Sequence, residues 1–476
     1  MRFPSVPCLR LNLLASVVCG LSLATGVAAS ELPLTVTTGA DDGPGSLREA
    51  LAIASESSKA RPIYVVTNDV IEIGSTLTYT GEVPLVLYGS GQTIHSKENV
   101  TLLALTSGAD LTASDLRFVG PGGFSVMKRG DADGSGGKGI FIDVRDDQTG
   151  TLFLRLDRVT VTGVAYHGIH VSDCDLADAC GGGSGGGGDG ASASIAVQAN
   201  GVVVADVGNG AFDADGIRID ERGDGGIYFI SHGSSFRDVG ADGVELDEGG
   251  AGSVLASVVG NQFVDNGGYC DPVVLQTYMP QKLIATFDDG KATDADVPAD
   301  ITGSPDDDCF EKKVETYPSG SIKSYEISID LDDGIDIDEA GEGNLTLHMN
   351  GADVLSNLDE GVDVGEEDDG SLAINVVRST VNNNKDDGIR AQESGAGDLF
   401  ALVQDVTAQS NGRYGARYDH EGDGTFSIQV SDTETADNGE AGIRASQTGG
   451  AKGTLTVSGS NIENGIDARN VTVTEQ

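Results

Sequence analysis

Apolar and polar residues alternate along this chain in short runs, and the runs recur. Ile217/Ile219, Val244/Leu246, Ile335/Ile337, Val362/Val364 and Ile389/Ala391 each place two apolar residues on one side of a polar neighbour. That is the period of a strand with one buried face. A second set follows at Ile227/Phe229, Val254/Ala256/Val258, Leu345/Leu347/Met349, Leu372/Ile374/Val376 and Phe426/Ile428/Val430. A third inward position holds Phe236, Phe263, Val354, Val381 and Ala408. Every run of the first set begins just after a glycine. Gly334, Gly361, Gly388, Gly415 and Gly442 stand 27 residues apart, as do Gly216 and Gly243. A fixed period in this range marks a repeat architecture, in which stacked units turn each repeated residue into a column. Glycines separate the first and second strands, as in Gly341-Glu342-Gly343 and Gly422-Asp423-Gly424. Asn266, Asn357, Asn384, Asn411 and Asn438 precede the next repeat glycine. An asparagine there can satisfy buried backbone groups in its own rung and in the neighbouring one. Three short strands per repeat and no helical stretch predict a coil of parallel strands. A leucine-rich repeat has an overlapping period, but it needs a regular leucine signature that is missing here.

The pattern Asn-x-x-[Asp/Glu]-Gly-Ile-x-Ile resembles the rungs of right-handed parallel β-helix proteins of the pectate-lyase-like type, across roughly residues 60–470. The segment Gly43-Pro44-Gly45-Ser46-Leu47-Arg48-Glu49-Ala50 resembles the opening of many bacterial secreted β-helix proteins. Its Ser46 and Glu49 have the spacing of a capping box and predict a short helix. Such a helix would cover the apolar end of the solenoid. The expected fold class is therefore all-β, a right-handed parallel β-helix with a short N-terminal capping helix. Residues 1–30 read as a signal peptide, 31–60 as the N-terminal strand and capping helix, and 61–476 as the β-helix. The fold hosts lyases, hydrolases, epimerases and adhesins, so the resemblance leaves activity open.

Arg2 and Arg10 precede an apolar run from Leu13 to Val27, and Ala28, Ala29 and Ser30 offer a cleavage site. This is the layout of a secretory signal. The run is short for a membrane span and is broken by Ser16, Ser22 and Thr25. The expected location is secreted, extracellular or periplasmic, with no membrane span after cleavage. Cysteine use agrees. Cys174, Cys180, Cys270 and Cys309 follow the signal and allow three connectivities. Cys174–Cys180 and Cys270–Cys309 are the expected pairs, because each borders or enters a break in the repeat. One break is a loop near 174–192; the other lies near 267–330, where Gly334 follows Gly243 after 91 residues. A zinc site is the rival reading, but the spacing fits no standard finger.

The formal net charge is −46, from 75 acidic and 29 basic residues. Phosphate binding needs a basic surface, so nucleic acid is excluded as a partner. The acids are not scattered. Asp215, Asp242, Asp333, Glu360 and Asp387 precede the repeat glycines. Asp220, Asp247, Asp338 and Asp419 stand four residues after them, and Glu221, Glu248, Glu339, Glu366 and Glu393 five after. Asp224, Glu342, Asp369 and Asp423 stand eight after. At a strand spacing of about 4.8 Å like charges repel by about 3–4 kcal/mol at an effective dielectric of about 20. Calcium bridging adjacent rungs is the expected offset. The expected ligands are Asp220, Glu221, Asp224, Asp247, Glu248, Asp338, Glu339, Glu366, Asp369, Asp419, Glu421 and Asp423. The turns starting at Asp131 and Asp419 resemble half of an EF-hand loop. The twelfth place, which needs a glutamate, holds Ile142 and Val430.

The column two after the glycine carries Arg390, Arg417 and Arg444 on successive rungs. The plain reading is an ion-pair ladder with Asp387, Glu393 and Asp419. The functional reading is an anionic ligand, an extracellular polysaccharide or a surface protein, held by guanidinium forks. The β-helix resemblance implies a lyase chemistry in which calcium acidifies the sugar and Arg390 or Arg417 is the base. Tyr418-Asp419-His420 resembles the Tyr/Asp/His sites of alginate epimerases, although those separate the Asp and His. Asp332, Asp333, Asp336 and Asp338 offer a hydrolase-like pair. Tyr166-His167 and His170 near Asp173 form another break in the pattern. Residues three apart on a strand face opposite sides, which argues against a two-histidine metal site. Aromatics make up only 5%, with no tryptophan, so stacking platforms for sugars are few. The expected function is a calcium-binding protein with an extracellular binding or structural role; the alternative is a calcium-dependent polysaccharide lyase or epimerase.

Overall fold

The computed structural model describes residues 32–130, 137–173, 190–276, 282–298 and 309–476. The signal segment, the turn beginning at Asp131 and the Cys174–Cys180 pair lie outside these residues. The chain winds as a parallel β-helix. Strands that follow the repeat glycines form a 12-stranded sheet, and the second and third strands of the turns form a 24-stranded one. Residues one period apart lie side by side, so that Ile335 pairs with Val362, Val362 with Ile389, and Ile389 with Ala416. The inward residues of both sheets form one continuous apolar core.

The close approach of rungs explains the repeat glycine. A Cβ on Gly361 would lie 2.5 Å from Asn384 Nδ2 and 2.6 Å from the Gly388 carbonyl oxygen. Only glycine leaves that space, and the asparagines use it. Asn357 Nδ2 donates to Asn384 Oδ1 at 2.9 Å, Asn384 Nδ2 to Asn411 Oδ1 at 3.1 Å, and Asn411 Nδ2 to Asn438 Oδ1 at 3.1 Å. Each acceptor oxygen also takes the backbone N–H of the preceding asparagine. A buried turn thus leaves few unmet polar groups.

Helix Leu47–Ser55 packs Leu47, Ala50, Leu51 and Ala54 onto the N-terminal end of the core. Half of the expected capping box forms: Ser46 Oγ accepts from Glu49 N at 3.1 Å. The Glu49 carboxylate takes Gly45 N instead of the cap residue's own N–H, at 2.6 Å. The insertion carries helix Pro272–Leu275 and an antiparallel sheet of Lys282–Thr286, Phe310–Thr316 and Ile322–Ile329. The Cys270–Cys309 disulfide ties the start of the insertion to the residue just before strand Phe310–Thr316. Cys270, Cys309, Tyr269, Leu275 and Ile329 form a small apolar cluster with Val126, outside the coil.

Candidate functional site

The 12-stranded sheet aims alternate side chains out of the coil. The column two after the repeat glycine runs Phe141, His170, Arg218, Glu245, Asp336, Asp363, Arg390, Arg417 and Arg444. The insertion closes over part of this stripe and makes a cavity of about 630 Å³. Lys282, Lys313 and Glu326 stand on the inserted wall; Asp333, Asp359, Glu360, Asp363, Asp386, Arg390, Arg413 and Arg417 stand on the coil.

Carboxylate oxygens of Asp333, Glu360 and Asp363 lie within 4.8 Å of one another, as do those of Asp359, Glu360 and Asp386. Asp333 is buried and its Oδ1 has no hydrogen-bond partner. Burial, reinforced by like-charged neighbours, holds Asp333 and Glu360 well above the ordinary carboxylate range. The same causes push Asp359 up to about 7. The floor of the cavity is therefore short of positive charge, and an orphaned oxygen among hard carboxylate donors fits a divalent cation. Three arginines flank it. Arg390 bonds Asp363, and Arg413 Nη1 donates to Asp386 Oδ2 at 3.1 Å. Arg417 Nε donates to Asp419 Oδ2 at 2.5 Å. Of the arginines expected to meet an anionic ligand, Arg390 and Arg417 line the cavity. Arg444 lies one rung beyond, 3.5 Å from Asp419 and over the Tyr414 ring.

The expected calcium ligands separate by strand parity. Glu221, Glu248, Glu339 and Glu366 point into the coil and are at most 1% exposed. They are enclosed by the core, by turn N–H groups at Glu221 and Glu248, and by one another, so the expectation of exposed bridging carboxylates is corrected for this column. Asp220, Asp247 and Asp419 point outward, but arginines already neutralise them: Arg218 Nε donates to Asp220 at 2.8 Å and Arg222 Nη1 to Asp247 at 2.8 Å. Asp224, Asp369 and Asp423 are exposed between strands, and Glu421 is exposed at the end of strand Ala416–Glu421. Among the described residues, none of these, nor Asp338, belongs to a carboxylate group close enough to share an ion. The competent groups come from positions one to three before the glycine and two after it.

The proposed likeness of Tyr418-Asp419-His420 to an epimerase site is also corrected. Asp419 faces out, while Tyr418 and His420 are fully buried inside the coil. Tyr418 fills the space left by Ala391 and Ala445 on adjacent rungs. Neither side chain can meet a ligand on the outer face.

Two histidines set aside in the sequence do meet. The His167 and His170 rings are 4.6 Å apart, because His167 sits in the turn before strand Ile169–Ser172, where alternation does not apply. His167 Nδ1 accepts from Asp215 N at 2.9 Å. His170 is bridged between Lys138 Nζ and Asp220 Oδ2, both at 2.8 Å. Burial lowers both imidazoles, His167 to about 4. They form a buried polar support at the covered end of the stripe, and the glycine before His170 was the signal that put His170 on the outward column.

No protein-family model and no curated protein matches the chain. Among solved structures, the A-module of a mannuronan C-5 epimerase from Azotobacter vinelandii is similar over 93% of this chain and 99% of that module. Its identity is 10% and its TM-score 0.42. The fold assignment rests on the strand register and sheet order described above.

Proposed function

We propose that this chain is an exported protein that binds an acidic polysaccharide in the groove beneath the insertion, with calcium held by Asp333, Glu360 and Asp363. The cavity carries this reading. It joins an under-neutralised carboxylate floor to flanking Arg390, Arg413 and Arg417, facing Lys282 and Lys313 on the inserted wall. Calcium takes six to eight oxygens; three side chains would supply some, and a glycan carboxylate and hydroxyls would supply others. The guanidinium forks suit further carboxylate groups along the same chain.

Export is supported by the N-terminal basic and apolar segment and by the Cys270–Cys309 bridge, which suits an oxidising compartment. Among the described residues no helix is long and apolar enough to cross a membrane. Binding is favoured over lyase chemistry by the state of Arg390. The Asp363 carboxylate, chief among several, holds the Arg390 guanidinium above its ordinary range, so it is a poor base.

Affinity electrophoresis through pectate, alginate and sulfated glycans, with calcium or with chelator, tests the proposal. Calcium-dependent retardation by a carboxylated glycan is expected. No retardation by any of them contradicts it, and release of unsaturated products, read by ultraviolet absorbance, replaces it with a lyase.

A further inference from the structure

Inside the coil, the fifth position after the repeat glycine forms a second column. Asp173, Glu221, Glu248, Glu339, Glu366, Glu393, His420 and Gln447 occupy it on successive rungs. None is more than 3% exposed. On several rungs one carboxylate oxygen caps the glycine turn. Glu221 Oε1 accepts from Gly223 N and Gly225 N at 3.2 Å, and Glu248 Oε1 from Gly250 N and Gly252 N at 3.2 and 3.0 Å. Other oxygens find no donor: Glu221 Oε2, Glu248 Oε2 and both oxygens of Glu339 and Glu366. The strand register sets these carboxyls side by side on adjacent rungs, Glu221 with Glu248, Glu248 with Glu339, and Glu339 with Glu366, and each feels its neighbour.

Two acceptor oxygens in contact need a proton or a cation between them. A calcium ion would need six to eight oxygens, and each gap supplies two carboxyls among N–H donors and apolar side chains. Unprotonated, the neighbours would repel by about 3–4 kcal/mol per pair at an effective dielectric of about 20. We propose that the inner glutamates share protons from rung to rung at neutral pH, in a chain that ends on the Glu393–His420 ion pair and loosens the fold as pH rises.

The environment agrees. Burial first, and like charge second, pushes Glu221 up to about 10, Glu339 to about 9 and Glu366 to about 7. Charged groups facing the column add to this: Asp173 beside Glu221, Asp368 near Glu366 and Asp398 near His420. Burial opposes the charge on His420, but the Glu393 carboxylate and the Gly397 carbonyl outweigh it and raise its value. A carboxyl raised in the folded state binds its proton more tightly there. The stabilisation is complete below the unfolded value of 4.5 and is lost as pH climbs through about 7 to about 10. None of this depends on the groove.

Thermal unfolding of the full chain, in chelator and across roughly pH 5 to 10, tests the chain of protons. The wild type is expected to melt at progressively lower temperature as pH rises. Glu339→Gln/Glu366→Gln, with neutral amides at both places, is expected to lose most of that decline. An infrared spectrum of the wild type at neutral pH, which does not depend on any variant folding, is expected to show a carboxylic-acid carbonyl band. A melting temperature that is flat or rises with pH, or the absence of that band, overturns the proposal. So does a wild-type stabilisation by calcium that the double variant lacks, which would put a cation in the column.

Discussion

His420 and Glu393 occupy the same place on adjacent rungs, with Nε2 and Oε2 2.5 Å apart and both side chains fully buried. The pair closes a run of acids with a single base, and on the next rung Gln447 needs none. Removing the imidazole leaves a buried carboxylate without its counter-charge. His420→Ala is expected to lose about 3 kcal/mol in urea unfolding at neutral pH. His420→Gln, which supplies the side chain of the following rung, is expected to lose less. A His420→Ala variant as stable as the wild type would remove the pair from the account.

The asparagine column makes a sharper structural prediction. Asn384 Oδ1 accepts from both Asn357 N and Asn357 Nδ2, and its own Nδ2 donates onward to Asn411. Asn384→Ala strands several buried groups at once, so a loss of about 3 kcal/mol is expected. Asn382→Ala, on the preceding strand with only its part-buried bond to Gln409 N, serves as the comparison and is expected to lose under about 1 kcal/mol. Equal losses would show that the stacked amides have no special weight.

The disulfide bears on the groove more than on the coil. Cys270 and Cys309, 39 residues apart in sequence, fasten the start of the insertion to the strand Phe310–Thr316 of its sheet. Cys270→Ser/Cys309→Ser frees that wall at a cost of about 4 kcal/mol to the insertion. Glycan affinity is expected to fall while the far-ultraviolet circular dichroism of the coil is kept. Unchanged affinity would show that the wall takes no part in binding.

Charge in the groove is testable by salt as well as by mutation. Arg413→Ala removes a cation that Asp386 and Glu440 hold in place. A roughly tenfold loss of glycan affinity is expected, about 1.4 kcal/mol. The remaining affinity should fall less steeply with ionic strength than that of the wild type. A variant with the same affinity and salt slope would put the ligand elsewhere.

Much of this was legible from residue order. The glycine and asparagine spacing gave the rungs, and the alternation at Ile335 and Ile337 gave the buried face. The same alternation extends two residues further and turns Glu339 inward. Grouping Asp338 with Glu339 as one exposed set broke that parity, since a carboxylate looks like a surface residue until its partners are known. The cavity was out of reach for another reason: its second wall comes from an insertion with its own antiparallel sheet, and the repeat says nothing about where that sheet docks. The meeting of His167 with His170 runs against the expectation because the turn before a strand does not follow the strand's alternation.

The central claim is that Asp333, Glu360 and Asp363 hold a calcium ion on which an acidic glycan docks. Calorimetric titration of calcium into the chelator-treated protein tests it most directly, in the wild type and in Glu360→Gln. The account predicts saturable binding in the wild type, an affinity at least tenfold weaker in the variant, and tighter binding when a carboxylated oligosaccharide is present. Equal calcium affinity in the two proteins, or no binding in the wild type, would contradict it.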